Sequence, residues 1–527
     1  MARWRRSHAL EFSTFSELIG RHREGRPRGA SMSQVQPQAR STVPLGHLPP
    51  LELATMPVFV GIFAYVGPGI LWAALAQGSG ELIWWPYLTA KYAAVFLGLL
   101  IPAALLQYWL NLELCRYTVL TGETPMTGFT RIGRWFAWLC WVGVFIENIW
   151  FGAYASAGGT ALAALTGFPQ GWTPRGQSLF WGYLTIALYL FALVFSKVAY
   201  ALVEKFSMVV VAITMAGIIF AVFQEPVLAV TGEFFTALIP GYTPVDEIPN
   251  WDPQDWNTVA AAIAFAGAGG FGQLFIAYWM RDKGIGMGAR IGRITSPITG
   301  QAEAIPATGF ALADTADNQR NYQGWMRYVG TENFIGVALN LITTVIMCWL
   351  AWALLLPKGI VPSGWDIAVV QSAFFEVAWG PVGRALFLIV AAAFLCDAWL
   401  QLTDGFSRIQ ADFFYHNIRG AQKLHFRTWY YIFVGVFTAL TVVTMALAQP
   451  GQLIVIRGVI AFLAMAIICP AIVYLNYVML PRAFPKWIRP HPITQAIMLL
   501  VTVIYIVLAA GYLYLNREQL LALATGS

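Results

Sequence analysis

Apolar residues run along this chain in stretches of about 20, the length a helix needs to cross a bilayer, and short polar segments separate them. The runs fall at roughly 58 to 92, 94 to 118, 134 to 164, 179 to 196, 202 to 224, 256 to 281, 331 to 356, 380 to 404, 428 to 448, 452 to 479 and 492 to 516, which predicts eleven membrane spans. Two of them differ from the rest. Span one contains "AQGSGELIW" and span six "AGAGGFGQLF", so Gly78, Ser79, Gly80, Glu81, Leu82 and Gly270, Phe271, Gly272, Gln273, Leu274 repeat one pattern, Gly-x-Gly-(Glu or Gln)-Leu.

The copies lie five spans apart and therefore start from opposite faces of the membrane. Interrupted helices at corresponding places in two halves are the sequence sign of an inverted-repeat transporter, in which two broken helices meet near the midplane around the cargo. A break frees backbone amides and carbonyls in hydrocarbon, and it survives only where they line a cavity or bind something. The pattern thus predicts non-helical backbone at residues 78–80 and 267–272, with the two breaks facing each other. Membrane glycines also serve close packing; the polar residue at the same offset in both copies is what favours a cargo site.

Composition agrees with a membrane class. The 527 residues are 58% hydrophobic and only 11% charged, with a mean hydropathy of +0.62, against about 25% charged in soluble domains. The net charge of +6 follows topology rather than a nucleic-acid face. With the N-terminus cytoplasmic, 26 of the 32 Lys and Arg fall inside, leaving Lys91, Arg175, Lys358, Arg384, Arg457 and Arg517 outside or within spans. This asymmetry predicts a C-terminus on the outer side. Residues 1 to 50 carry eight arginines and few apolar residues and are expected to be a disordered cytoplasmic tail, with Met32 an alternative start. The transporter domain is expected over 58–516, as repeats at about 58–224 and 256–479 and an eleventh helix at 492–516. The five cysteines form no CxxC pair, and no histidine lies in an apolar run, which argues against an intramembrane haem or zinc-histidine centre.

Charged residues inside the spans are the remaining candidates for chemistry, since each is costly to insert. Glu81 is placed to bind cargo or to cap the second half of span one. Glu147, beside Asn148, fits a proton relay or a structural hydrogen bond equally. Arg457 starts span ten and either reaches the cavity, where it repels a cation or pairs with Glu81, or snorkels to the outer surface, the favoured option. Asp397 is a weaker candidate for ion coupling. Asp404 and Arg408, an i,i+4 pair, read as structural.

Further motifs resemble the Nramp family of proton-coupled divalent-metal transporters. "GPGIL" at Gly67 to Leu71 is similar to the family's opening Gly-Pro-Gly. "LLQYWLNLELCRYTVLTGE" resembles the end of its second span, through Leu106, Gln107, Arg116, Thr121 and Gly122; "VEKFSMVVVAI" and "ALFLIVAAAF" resemble its fifth and eighth. The resemblance covers about residues 60 to 516. It implies an all-α integral membrane protein of LeuT-like fold, five plus five inverted spans with an eleventh transmembrane helix. The family's metal-binding Asp-Pro-Gly-Asn falls on residues 78–81 and its Met-Pro-His-Asn on 270–273, so the aspartate, thioether and histidine are absent. Glu81 and Gln273 are left as metal ligands, with backbone carbonyls, all hard oxygen donors. Glu147 matches the first acid of the family's proton path, and Tyr154 and Ala157 stand at the next two.

The resulting expectation is a secondary transporter, not an enzyme, moving a divalent metal cation by alternating access, possible proton coupling falling to Glu147 and Asp397. The cargo site is expected at Gly78, Ser79, Gly80, Glu81, Gly270, Gly272, Gln273 and Arg457. The alternative is a LeuT-fold carrier of a small organic or zwitterionic solute, held by half-helix ends and Arg457. No cofactor and no nucleic acid are expected, only cargo and lipid, in the plasma (inner) membrane.

Overall fold

The structure, a computed structural model, describes residues 42–62, 67–196, 198–362 and 369–518, with the side chains of Ser79, Glu81, Ala199, Tyr200 and Leu202 outside the description. The tail up to residue 41 also lies outside it. Among the described residues, nine helices are long and apolar enough to cross a membrane. They are spans two to five and seven to eleven. Span one, which changes from α- to π-helix and back, and span six, which is interrupted, are outside that set, and with them the number is the expected eleven.

Helix starts follow local chemistry. Thr173 caps span four (Pro174–Phe195), its hydroxyl accepting from the Gly176 amide at 3.1 Å, and Pro174 takes the first helical position, where no amide is needed. Spans ten (Pro450–Val473) and eleven (Pro492–Leu515) also begin on proline. Span three is two helices, Arg134–Asn148 and Gly152–Thr166, joined by a turn directly after Glu147 and Asn148. Span eight runs from Ala373 to Asn417 with one non-helical residue, Gly380, ahead of Pro381.

A small sheet lies at the end of the molecule that holds the basic loops. Strands β1 (Thr42–Val43) and β2 (Leu51–Ala54) pair antiparallel, and β2 pairs parallel with β3 (Phe310–Leu312) from the loop between spans six and seven. The Arg131 guanidinium donates to Leu45 O at 2.6 Å and Pro49 O at 3.2 Å. Residues 42–50, expected in the tail, are thus part of the folded unit. Their backbone groups gain protein partners that an arginine count does not reveal. The five cysteines are free and buried.

Candidate functional site

Span one does not break. Pro68–Ala76 is α-helical, Gln77–Trp84 is a π-helix and Trp85–Tyr92 is α-helical again, so Gly78, Ser79, Gly80 and Glu81 lie in a continuous, widened helix. This corrects the expectation of non-helical backbone at residues 78–80. The two glycines serve close approach instead: a Cβ on Gly78 would sit 2.7 Å from Ala398 Cβ of span eight, and one on Gly80 would overlap the Phe265 carbonyl of span six. The turn stays hydrogen-bonded within itself, the Trp85 amide reaching Gly80 O, and needs no cargo to satisfy it.

Span six does break. Asp255–Ala264 ends at Phe265, Gly270–Leu274 forms a tight 3-10 turn, and Phe275–Lys283 resumes the helix. Gly269 (φ 72°) and Gly270 (φ 49°) take the left-handed backbone that only glycine adopts at little cost. The expected facing of the two segments holds in one respect, since Gly80 packs on the Phe265 carbonyl at the break.

Protein side chains take up the groups the break frees. Gln107 of span two (Leu100–Thr121) donates its amide to Ile263 O at 3.2 Å and Ala264 O at 3.0 Å. Asn340 of span seven (Ala316–Leu354) donates to Ala266 O at 3.2 Å. Glu147 of span three accepts from the Phe271 amide at 2.9 Å and from that of Gly272. Gln273 is engaged at both ends: its Oε1 accepts from Trp72 Nε1 at 3.0 Å, and its Nε2 donates to Gln107 Oε1. Gln107, Asn340 and Trp72 escaped the sequence reading as site residues. Only the family match at Gln107 marked any of them, because amides and indoles in a span carry no charge to flag them.

Arg457 does not snorkel. It is 1% exposed, and its guanidinium reaches Glu147 Oε1 at 3.2 Å and Tyr154 Oη at 3.0 Å while lying over the Phe265 ring at 5.0 Å. The outward path is rejected because a buried carboxylate and a phenol at the break offer the cation better partners than the rim does. Its Nε has no partner, and neither amide atom of the buried Asn148 has one. Two candidates from distant parts of the sequence, Glu147 and Arg457, therefore form one ion pair at the break. Glu81, whose side chain is not described, sits in the π-helical turn opposite. Asp397 lies apart from this cluster, on the interface of spans eight and five (Ala199–Val222), hydrogen-bonded to Ser207. Asp404 and Arg408 pair as expected, at 2.8 and 2.9 Å, and Arg408 also holds Asp282 at the end of span six.

Above the break lies a cavity of 660 Å³, lined by Trp84, Tyr87, Asp255, Thr258, Gln452 and Ile456 among others. Its span-ten wall ends at Val455 and Ile456, next in sequence to Arg457, which does not line it. At its rim Asp255 accepts from Lys91 at 2.6 Å and Tyr92 at 2.5 Å, tying the end of span one to the start of span six. On the opposite side Lys283 pairs with Glu204 at 2.5 Å, and Glu332 accepts from the Gly69 amide at 2.9 Å. Glu147, Gln273 and Arg457 are all closed off from solvent in this conformation. Among the described residues, no cluster of three or more His, Cys, Asp or Glu could hold a metal ion.

No protein-family model and no curated protein matches the sequence. Solved structures do match. A manganese transporter of Eremococcus coleocola, in a crystal structure of a variant, is 12% identical with a TM-score of 0.62 over 88% of each chain. The same transporter in complex with an aromatic bis-isothiourea compound gives 13% and 0.63 over 85% of each. MhsT in complex with L-phenylalanine gives 13% and 0.51, covering 85% of this chain and 98% of its own. At such identities the likeness speaks to architecture, and on that ground this chain is a multi-pass integral membrane protein with the LeuT-type fold of these transporters.

Proposed function

We propose that the chain is a secondary active transporter of the Nramp kind that carries a divalent metal cation across the membrane by alternating access. The observation that carries the reading is the meeting of an interrupted span six with the π-helical turn of span one, beneath an open cavity, in a fold shared with a manganese transporter. A broken helix at a repeat interface is where this architecture holds cargo. Glu81 is the cation's carboxylate in this reading, since Glu147 is already neutralised by Arg457. Gly270 and Gly272 supply backbone to the same place, Gly78, Ser79 and Gly80 form the helical wall beside it, and Gln273 contributes once it leaves Gln107. The activity is transport without catalysis. The N-terminus is cytoplasmic and the C-terminus external, in the plasma membrane, as the basic residues favour.

One observation favours a second cargo, a small organic or zwitterionic solute. Arg457 is buried at the break with its Nε unpaired, a donor suited to a carboxylate. Proteoliposome uptake of Mg, Mn, Fe, Ca, small organic acids and amino acids separates the two. The metal reading expects Glu81→Gln to abolish uptake, with Mg or Mn preferred over Cd because no thioether rewards a soft ion. Metal-independent uptake of an organic solute that survives Glu81→Gln but fails in Arg457→Gln overturns it.

A further inference from the structure

Most buried acids of the spans have a cation beside them: Glu147 has Arg457, Glu113 has Arg116, and Asp404 has Arg408. Asp397 is 0% exposed and, among the described residues, has no Lys or Arg partner. Its Oδ2 accepts from Ser207 Oγ of span five at 2.8 Å and from Gln401 Nε2, one turn along span eight, at 2.8 Å. Gln401 Nε2 also donates to Ser207 Oγ at 3.2 Å. Two oxygens are left over, Asp397 Oδ1 and Gln401 Oε1, both buried without a partner. An ionised carboxylate in that position bears its desolvation with no counter-charge, and the lone amide oxygen adds a second defect.

One proton removes both. On Oδ1 it turns the carboxylate into a neutral acid with a donor, and Gln401, whose Nε2 already meets Oδ2, carries the unpartnered acceptor oxygen that an acid–amide pair needs. A hard metal ion fits poorly, because two free oxygens fall far short of the six or more such ions take. The surroundings add no competing charge. Tyr189 of span four and Cys396 are the titratable neighbours, and Glu204, one turn before Ser207, is held by Lys283. Spans one and three meet span eight through glycines, Gly78 at Ala398 and Gly158 at Cys396. The residue after Asp397 therefore bears directly on the π-helical turn of span one.

We propose that Asp397, with Gln401 and Ser207, is the proton site that couples transport, loaded from one side and emptied to the other as span eight shifts against spans one and five. The inference rests on the transporter reading, and infrared spectroscopy tests it without needing cargo. The full-length protein in proteoliposomes is followed by infrared difference spectra as pH is stepped. A protonated-carboxyl C=O band is expected that disappears in Asp397→Asn, isosteric with the neutral acid, and shifts in Gln401→Leu. With Mn²⁺ as probe, an inward proton gradient should speed wild-type uptake several-fold, while Asp397→Asn transports at one rate with or without the gradient and still exchanges Mn²⁺. A band unchanged in Asp397→Asn, gradient stimulation that persists in it, or uptake driven by sodium instead overturns the proposal. If wild type carries no Mn²⁺, the metal reading fails separately and the infrared band alone decides the proton site. If Asp397→Asn does not fold, the band shift in Gln401→Leu decides it.

Discussion

Spans one and six carry the same five-residue pattern and fold it differently. In span one the segment stays helical with a wide turn and uses its glycines to let two neighbouring helices come close. In span six the chain leaves the helix, takes two positive φ angles, and draws polar partners from spans one, two, three and seven. A Gly-x-Gly pair permits a break without causing one. What decides the outcome is whether other helices supply groups for the freed amides and carbonyls, because hydrocarbon supplies none.

The comparison is broken most severely at Glu147. Glu147→Gln leaves Arg457 buried without its counter-charge, a loss of about 3–5 kcal/mol, and the melting temperature in detergent should fall steeply. Adding Arg457→Gln should recover much of it. A melting temperature unchanged by Glu147→Gln would mean that the break is held by other contacts. Next comes Gly270→Ala, where a left-handed φ adds about 1–2 kcal/mol to a Cβ 2.5 Å from Ala461 Cα. Gly78→Ala, in a helical backbone, should cost only the overpacking against Ala398, about 1–3 kcal/mol. Equal losses at the two positions would erase the distinction drawn here.

Smaller effects sharpen it. Gln107→Leu orphans two carbonyls and the Gln273 amide, and thermal unfolding should register about 1–3 kcal/mol. Gln77 is the polar residue at the start of the π-helical turn and donates to Thr343 at 2.8 Å; Gln77→Leu should cost about 0.5–1.5 kcal/mol. The last effect lies outside the spans, is read from the shape of a pH profile rather than from a fixed loss, and serves as a control on acidification. Burial alone raises the Glu123 carboxyl, but the Arg131 guanidinium, 2.5 Å away, outweighs burial and holds it below the ordinary 4.5. A depressed folded-state value stabilises the protein above the ordinary range, and that stability is lost as pH falls through the depressed value. Melting curves should show this acid loss in wild type, and Glu123→Gln should lack it.

Much of the architecture was readable from residue order alone. Twenty-residue apolar runs give the eleven spans, and the i,i+4 spacing of Asp404 and Arg408 gives their ion pair. The site was half readable. The repeated pattern located both segments, yet it did not separate a π-helical turn from a break. The clue was density, four glycines within residues 267–272 against two within 78–80. Arg457 was misjudged because its partner stands 310 residues away, and one-dimensional spacing holds no information about which buried acid faces which buried base. The same applies to residues 42–50, whose arginine-rich flank conceals strand β1; it pairs with β2, which in turn pairs with a loop more than 250 residues on.

The π-helical turn in span one also sets the phase of everything after it. Each such turn uses one residue more than an α-turn, so the following side chains stand about 100° behind their places in an unbroken α-helix. Trp84, which ends that turn, and Tyr87, which follows it, stand on the cavity wall. Deleting one residue from 77–84 would leave a smooth helix of nearly the same length and hydrophobicity, with a different stripe of side chains turned toward the cavity.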